Sequence, residues 1–300
     1  MKVQSDLVER PDLLPLAPAV GPFPGTDFLR AWLDELGGEV EPITLDWDKG
    51  QLSMMKTVSR VELMGEADLT DYHSPLGEGL DEAIEFLCQE LGSGIDISFD
   101  SLPEEAATPL RTALEQTGRR PSSTVHETAM VLALPAGKDD FYLGLSKRDR
   151  HELRRKHRRY EELVGPVVHH CGDGDGFEEF VRLHQSAPGE KARFMSGPRL
   201  AFFSRLAELS GWRVDYLTTP TGKAAAAVFG WSDGQGYYLY NSSYDPALQA
   251  ASPGLVLLQS MIEHAIDNGL RVFDFLKGSE DYKARLGAKP RPLFRLEVTT

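Results

Sequence analysis

The stretch "SPGLVLLQSMIEHAIDNGLRVFDF", Ser252 to Phe275, reads as a helix that runs at once into a strand. Leu255, Leu258, Ile262, Ala265 and Ile266 recur at helical spacing and make one apolar face, and Gly269 supplies a C-terminal stop. These residues are read as core. The start of the helix is less ordinary. Ser252 fits an N-cap and Pro253 the first helical position, where its missing N–H costs nothing. Three residues after Ser252 stands Leu255, so no acidic side chain reaches back over the helix end. The N–H groups of Gly254, Leu255 and Val256 are therefore expected to face outward with the positive end of the helix dipole, a setting that suits a pyrophosphate.

Working outward, the segments before this helix read as strand "PVVHHC", helices "GFEEFVRLHQS" and "PRLAFFSRLAELSG", and strands "WRVDYLTT", "KAAAAVFGWS" and "GYYLYNSS". After it come the strand "RVFDFL", a short helix "SEDYKARLG" and a last strand "PLFRLEVT". The order is β-α-α-β-β-β-α-β-α-β over residues 166–300. A polar helical run, "LSKRDRHELRRKHRRYEELVG", lies at the junction, 136–165. Residues 26–135 give a first α/β unit: helix "TDFLRAWLDELGG" with Thr26 or Asp27 as its cap, strands "EVEPITLDW" and "QLSMMKTVSRVELMG", helix "EGLDEAIEFLCQELG", strand "GIDISFDSL", helix "PEEAATPLRTALEQTG" and strand "STVHETAMVLALP". The first 24 residues carry five prolines and little periodicity, so residues 1–25 read as an extended arm.

The 300 residues are enough for one large or two modest domains, and 41% hydrophobic with 26% charged content is ordinary for a soluble globular chain. No apolar run approaches the roughly 20 residues of a membrane span. The acidic start does not resemble an export signal, so the cytoplasm is the expected compartment. A net charge of -14 argues against general affinity for nucleic acid or acidic membranes. Cys88 and Cys171 form no CxxC pair and read as reduced structural thiols.

The second-half order, with "LSKRDRHELRRKHRR", "YNSSYDP", "SPGLVLLQSMIEHAIDNGLRVFDFLKGSEDYKARLGA" and more loosely "LMGEADLTDYHSPL", resembles the GNAT N-acyltransferase superfamily. Within it the chain is similar to the branch described as acetyltransferases involved in cellulose biosynthesis (CelD/BcsL type), and to FemABX peptidyltransferases in having two such halves. The resemblance implies an α/β, tandem GNAT-like fold with two mixed central sheets flanked by helices. It also implies an acyl-CoA donor, acetyl-CoA or longer, and a small-molecule amine acceptor, with no metal. It sets Ser252, Pro253, Gly254, Leu255 and Val256 where the family holds the donor pyrophosphate. The usual Gln/Arg-x-x-Gly-x-Gly/Ala loop is departed from, since "QAASPG" has a single glycine.

Acyl transfer to an amine needs a neutral amine, a stabilised oxyanion and a proton for the departing thiolate. The resemblance makes Tyr282 the proton donor, Lys283 a contact to the carbonyl oxygen or a donor phosphate, and Asp274 a base or an amine-orienting acid. The plainer reading has Asp274 capping the next turn and Lys283 solvated. Asp71 and Tyr72 resemble an acceptor-side pair, and Tyr240, Asn241 and Tyr244 of "YNSSYDP" are read with them as substrate-binding.

From Lys147 to Arg159 the junction helix has eight Lys/Arg against two acids. That run reads as a solvated face, as donor-phosphate contacts through Arg154, Arg155, Arg158 and Arg159, or as a tRNA-binding face. It lacks interleaved aromatics, which disfavours single-strand stacking. "HHC", His169 to Cys171, is rejected as a metal site because neighbours on a strand point to opposite faces. The leading expectation is an acyl-CoA-dependent N-acyltransferase. The others are an aminoacyl-tRNA-dependent transferase and a non-catalytic binding module.

Overall fold

A computed structural model describes residues 1–92, 94–172 and 176–298. The chain forms two compact units, one of Met1–Ala129 with Arg291–Thr300 and the other of Met130–Pro290.

The first unit holds β1 (Lys2–Gln4), α1 (Thr26–Leu36), β2 (Glu41–Trp47), β3 (Gly50–Lys56), β4 (Arg60–Leu63), β5 (Leu76–Gly77), α2 (Leu80–Leu91), β6 (Asp96–Leu102), α3 (Glu104–Gln116) and the start of β7 (Ser122–Ala133). Strand order runs β1-β2-β3-β4-β6 and then the chain's last strand. Pairs are antiparallel except β4 with β6. Three local readings change. The run "QLSMMKTVSRVELMG" is two strands rather than one, folded back where Thr57 N–H meets the Arg60 carbonyl at 2.8 Å without Gly or Pro to announce the turn. Helix α1 is capped by Gly25 with no side-chain bond, and the Thr26 hydroxyl donates instead to the Val8 carbonyl. The proline-rich arm lies down on the fold. Leu7, Ala17, Val20 and Phe23 are buried, and Thr44 and Gln51 donate to arm carbonyls of Asp6 and Val8.

The second unit begins inside β7 at Met130 and continues through α4 (Lys138–Gly144), α5 (Lys147–Leu163), β8 (Val168–Cys171), α6 (Gly176–Ser186), α7 (Glu190–Phe194), α8 (Gly197–Glu208), β9 (Trp212–Thr218), β10 (Ala224–Ser232) and β11 (Gly236–Tyr244). A 3-10 turn, Pro246–Ala251, then leads into α9 (Pro253–Asp267), β12 (Val272–Lys277) and α10 (Asp281–Arg285). Its strands run β12-β11-β10-β9-β8, with β11 and β12 parallel and the rest antiparallel. Helix α9 covers this sheet with Val256, Leu257, Met261, Ile262, Ala265 and Ile266 in the core, as its apolar spacing requires. The final strand, β13 (Lys289–Val298), does not close the second half as its place in the sequence predicts, but pairs antiparallel with β6 of the first unit. Alternation along "PLFRLEVT" fixes which side chains are buried, not which neighbour the backbone finds. Thr299 of that reading lies outside the described residues.

Candidate active site

Two irregularities in the second unit's sheet open a cleft. Parallel pairing of β11 with β12 spans Gly236↔Val272 to Tyr238↔Asp274 and no further, although β11 runs on to Tyr244 and β12 to Lys277. Against β10 the register shifts from Phe229↔Asn241 to Gly230↔Leu239, so Tyr240 is an extra, bulged residue that bends the strand. A cleft of about 490 Å³ is lined by the small and apolar residues Ala226, Ala227, Val228, Leu255, Leu257 and Leu258, with Ser242, Ser243 and Tyr244 from the unpaired end of β11. Gln249, Ser252, Pro253 and Gly254 form its helix-end wall, and Lys156 and Tyr282 complete it. Mostly apolar walls with a few convergent polar groups fit a small-molecule site, and the volume is within the usual range of about 300–1,000 Å³.

At the helix end the expected crown of amides is reduced. Ser252 takes the left-handed conformation (φ 56°, ψ 50°) and makes no side-chain cap. Its carbonyl accepts from Leu255 N–H at 3.1 Å and Val256 N–H at 3.2 Å, so those two amides point back into the helix. Gly254 is left as the amide of that turn with no assigned backbone acceptor among the described residues. A methyl group at Gly254 would sit 3.8 Å from the Tyr244 ring, an ordinary contact, so glycine is not forced there by space. The Ser252 hydroxyl, freed from capping, accepts from Lys156 Nζ at 2.8 Å. An ammonium therefore stands beside the start of α9.

Lys156 is the site residue that reading the charge run missed. Only Leu153 and Tyr160 of α5 are buried. Lys156 lies one turn from each, on the inward face, whereas Arg154, Arg155, Arg158 and Arg159 are all exposed and none lines the cleft. Arg155 is occupied by Glu152, through bonds of 2.8 and 2.7 Å. The helical position of Lys156 relative to Leu153 was the available signal.

Tyr282, the first choice as proton donor, is half-buried beside the cleft on α10. Burial, with a smaller contribution from the Glu280 charge, raises its phenol well above the ordinary value, so it holds its proton. Tyr282, Lys156 and Leu255 also line an adjoining space of about 220 Å³, whose other walls include Asp149, Glu152 and Arg285. Lys283, the next residue along, does something different. It is 3% exposed, and its ammonium donates to the carbonyls of Lys277 at 2.7 Å and Gly278 at 3.1 Å and pairs with Glu280 at 2.9 Å. It lines neither space and clamps the loop that carries Tyr282. Asp274 is fully buried. One carboxylate oxygen accepts from the Leu276 N–H at 2.7 Å, steadying Leu276 at φ 58°, a conformation costly for a leucine. The turn-holding reading of Asp274 is the one its geometry supports.

Tyr244 stands in the cleft wall, but Tyr240 turns to an aromatic cluster, with its ring 5.3 Å from both Phe203 and Trp212. Asn241 is half-buried in the ladder opposite Phe229 and does not line the cleft. Asp71 and Tyr72 belong to the first unit, where both are buried and the Tyr72 ring is covered by Phe23 and by the Arg291 guanidinium at 5.1 Å. His169 and Cys171 share one face of β8, while His170 stacks on Tyr216 from the other. Among the described residues no three His, Cys, Asp or Glu are placed to hold a metal ion, and no helix is long and apolar enough to cross a membrane.

Residues 147–284 match the acetyltransferase (GNAT) domain family. No curated protein sequence matches the chain. Among solved structures, the chain is similar to the C-terminal domain (DUF2156) of a protein described as a lysylphosphatidylglycerol synthetase from Agrobacterium fabrum, at TM-score 0.61 and 12% identity over 92% of this chain and 87% of that one. A Bacteroides thetaiotaomicron protein of unknown function gives TM-score 0.62 and 12% identity over 91% of each chain. FemX gives 0.59 and 12%, again over 91% of each. Identities this low speak to the fold, which is GNAT-like: a mixed sheet flanked by helices. The matched residues run from α5 into α10.

Proposed function

We propose that the chain is an N-acyltransferase that moves an acyl group, acetyl or longer, from a CoA thioester to an amine of a small molecule, a sugar or an amino acid. The observation that carries this reading is the cleft at the point where β11 and β12 part, with a helix start and Lys156 at one wall and a protonated Tyr282 at another. The extended, largely apolar arm of the donor suits the slot between Leu255, Leu258 and Val228, and its phosphates suit Lys156 and the Gly254 amide. The departing thiolate needs a proton, and Tyr282 is the lining group whose environment keeps one available. The adjoining space beside Tyr282 is lined by both signs of charge, Asp149 and Glu152 with Lys156 and Arg285, a polar setting suited to an acceptor amine. The block from Ser252 to Lys283 supports kinship with the cellulose-biosynthesis acetyltransferase branch, and the division into two units supports kinship with the FemABX-like proteins. Calorimetry with acetyl-CoA and longer acyl-CoAs tests the donor: saturable binding is expected, and no binding by folded protein removes the assignment.

One observation favours a second reading, an aminoacyl-tRNA donor. Arg154, Arg155, Arg158 and Arg159 present an exposed cationic face that the acyl-CoA reading leaves unused. It predicts tRNA retention that weakens with rising salt and with neutralisation of those four residues.

A further inference from the structure

The space of about 220 Å³ beside Tyr282 is lined by four charged side chains, and their partners divide them into two kinds. Glu152 is occupied by Arg155, whose Nε and Nη2 donate to its two carboxylate oxygens at 2.8 and 2.7 Å, and this pairing holds its carboxyl below the ordinary value. Lys156 is occupied by the Ser252 hydroxyl at 2.8 Å, with Glu152 at 4.0 Å. Asp149 and Arg285 remain.

One Asp149 oxygen, Oδ2, accepts from the Ser146 hydroxyl in the cap that starts α5, while Oδ1 takes no hydrogen bond among the described residues. The Arg285 guanidinium makes no hydrogen bond or ion pair among the described residues and acts on Glu152 only through its field. The space therefore presents one open carboxylate oxygen and one open guanidinium, over an aliphatic floor of Leu153, Leu255 and Leu286. A plain amine would satisfy Asp149 but leave its charge facing Arg285, and a plain carboxylate would meet the reverse conflict. A small molecule carrying both charges satisfies both groups, and the planar guanidinium fork matches a carboxylate in particular. The volume lies below the roughly 300–1,000 Å³ of sites for drug-sized ligands, so the occupant is a small one.

We propose that this space takes a free α-amino acid as the acceptor, its ammonium drawn to Asp149 Oδ1 and its carboxylate to Arg285. The role of acceptor rests on the acyltransferase reading given above; the binding site rests on the charges of the space itself. Tyr282, Lys156 and Leu255 line both this space and the cleft, which sets the amino acid beside the donor's reacting end. Acylation turns the ammonium into a neutral amide, so the product keeps the Arg285 contact and loses the one to Asp149.

The test screens the common amino acids against the full chain by thermal shift and takes the one that raises Tm most to calorimetry, with its decarboxylated amine and its N-acetyl derivative. Saturable binding of the amino acid is expected, with the amine and the N-acetyl form each about 10-fold or more weaker, because each loses one charge-assisted bond. Arg285→Gln should weaken the amino acid by a similar factor and the amine less than about 2-fold, while acyl-CoA affinity on the same samples stays unchanged. Asp149→Asn should weaken the amino acid and the amine but not the N-acetyl form. No Tm shift with any amino acid, an amine bound as tightly as its amino acid, or a folded Arg285→Gln variant with the parent's preference would each overturn the proposal. Acyl-CoA binding without amino-acid binding sinks this inference and leaves the donor reading standing. Amino-acid binding without acyl-CoA binding supports the site and removes the donor instead.

Discussion

Helices α5 and α9 pack against each other and contribute to the same cleft in opposite ways. Helix α5 is charged along nearly its whole length, yet it is one residue of its buried face, Lys156, that reaches the cleft's helix-end wall. Helix α9 is apolar over its body, and its start, Ser252–Gly254, forms a wall of the cleft. A side chain's type says what it can do, and its position on the helix says whether it is where it can do it. The same contrast holds at closer range on α10, where Tyr282 lines the cleft and Lys283 points away to bind loop carbonyls.

The sharpest test of that contrast is Tyr282→Phe, expected to lower kcat about 10²- to 10⁴-fold while leaving acyl-CoA affinity in place. Because its environment raises the phenol above the ordinary value near 10, activity in the parent should not fall between pH 7 and 10 through loss of this proton. An alkaline limb in that range that Tyr282→Phe abolishes would contradict the raised pKa, and an unchanged kcat in Tyr282→Phe would break the assignment as proton donor. Lys283→Met should act through stability instead. Two part-buried carbonyls lose their donor, a cost of about 1–3 kcal/mol, read as a lower Tm or denaturant midpoint. Loss of activity at unchanged Tm would return Lys283 to the chemistry. Next in size come Lys156→Ala and Gly254→Asp, each expected to weaken acyl-CoA binding about 10-fold in calorimetry, by losing a charge-assisted bond or adding a repelling carboxylate. Unchanged affinity in both would move the phosphate seat elsewhere.

The α/β class and the helix-to-strand order of the second half were legible because spacing in "LVLLQSMIEHAI" and "VFDF" admits few alternatives. The cleft's location at the start of α9 was legible too. Its detailed chemistry was not. Whether Ser252 caps its helix depends on one backbone dihedral pair, and the left-handed value found there sends two amides inward and the hydroxyl to Lys156. Asp274 and Lys283 belong to residue types that often do chemistry, but their burial and partners are set by a turn at Leu276 that no composition rule announces. The partner of β13 was hidden for a similar reason, since strand alternation carries no address. His169 and Cys171, two apart on a strand, share a face, while His170 takes the other.

The smallest expected effect decides between the two faces of α5. Replacing Arg154, Arg155, Arg158 and Arg159 together by Gln removes four exposed charges that line neither space and should change acyl-CoA affinity less than about 2-fold, because exposed charges beyond the first contact are screened by solvent and salt. The same variant separates the donors. An aminoacyl-tRNA user would lose tRNA retention with these four residues and show a shallower salt dependence, since each released phosphate contact takes a counterion term with it. An acyl-CoA user would register Lys156→Ala and ignore the quartet. If the quartet outweighs Lys156, the working face of α5 is its outer one, and the inward lysine is only a strut between two helices.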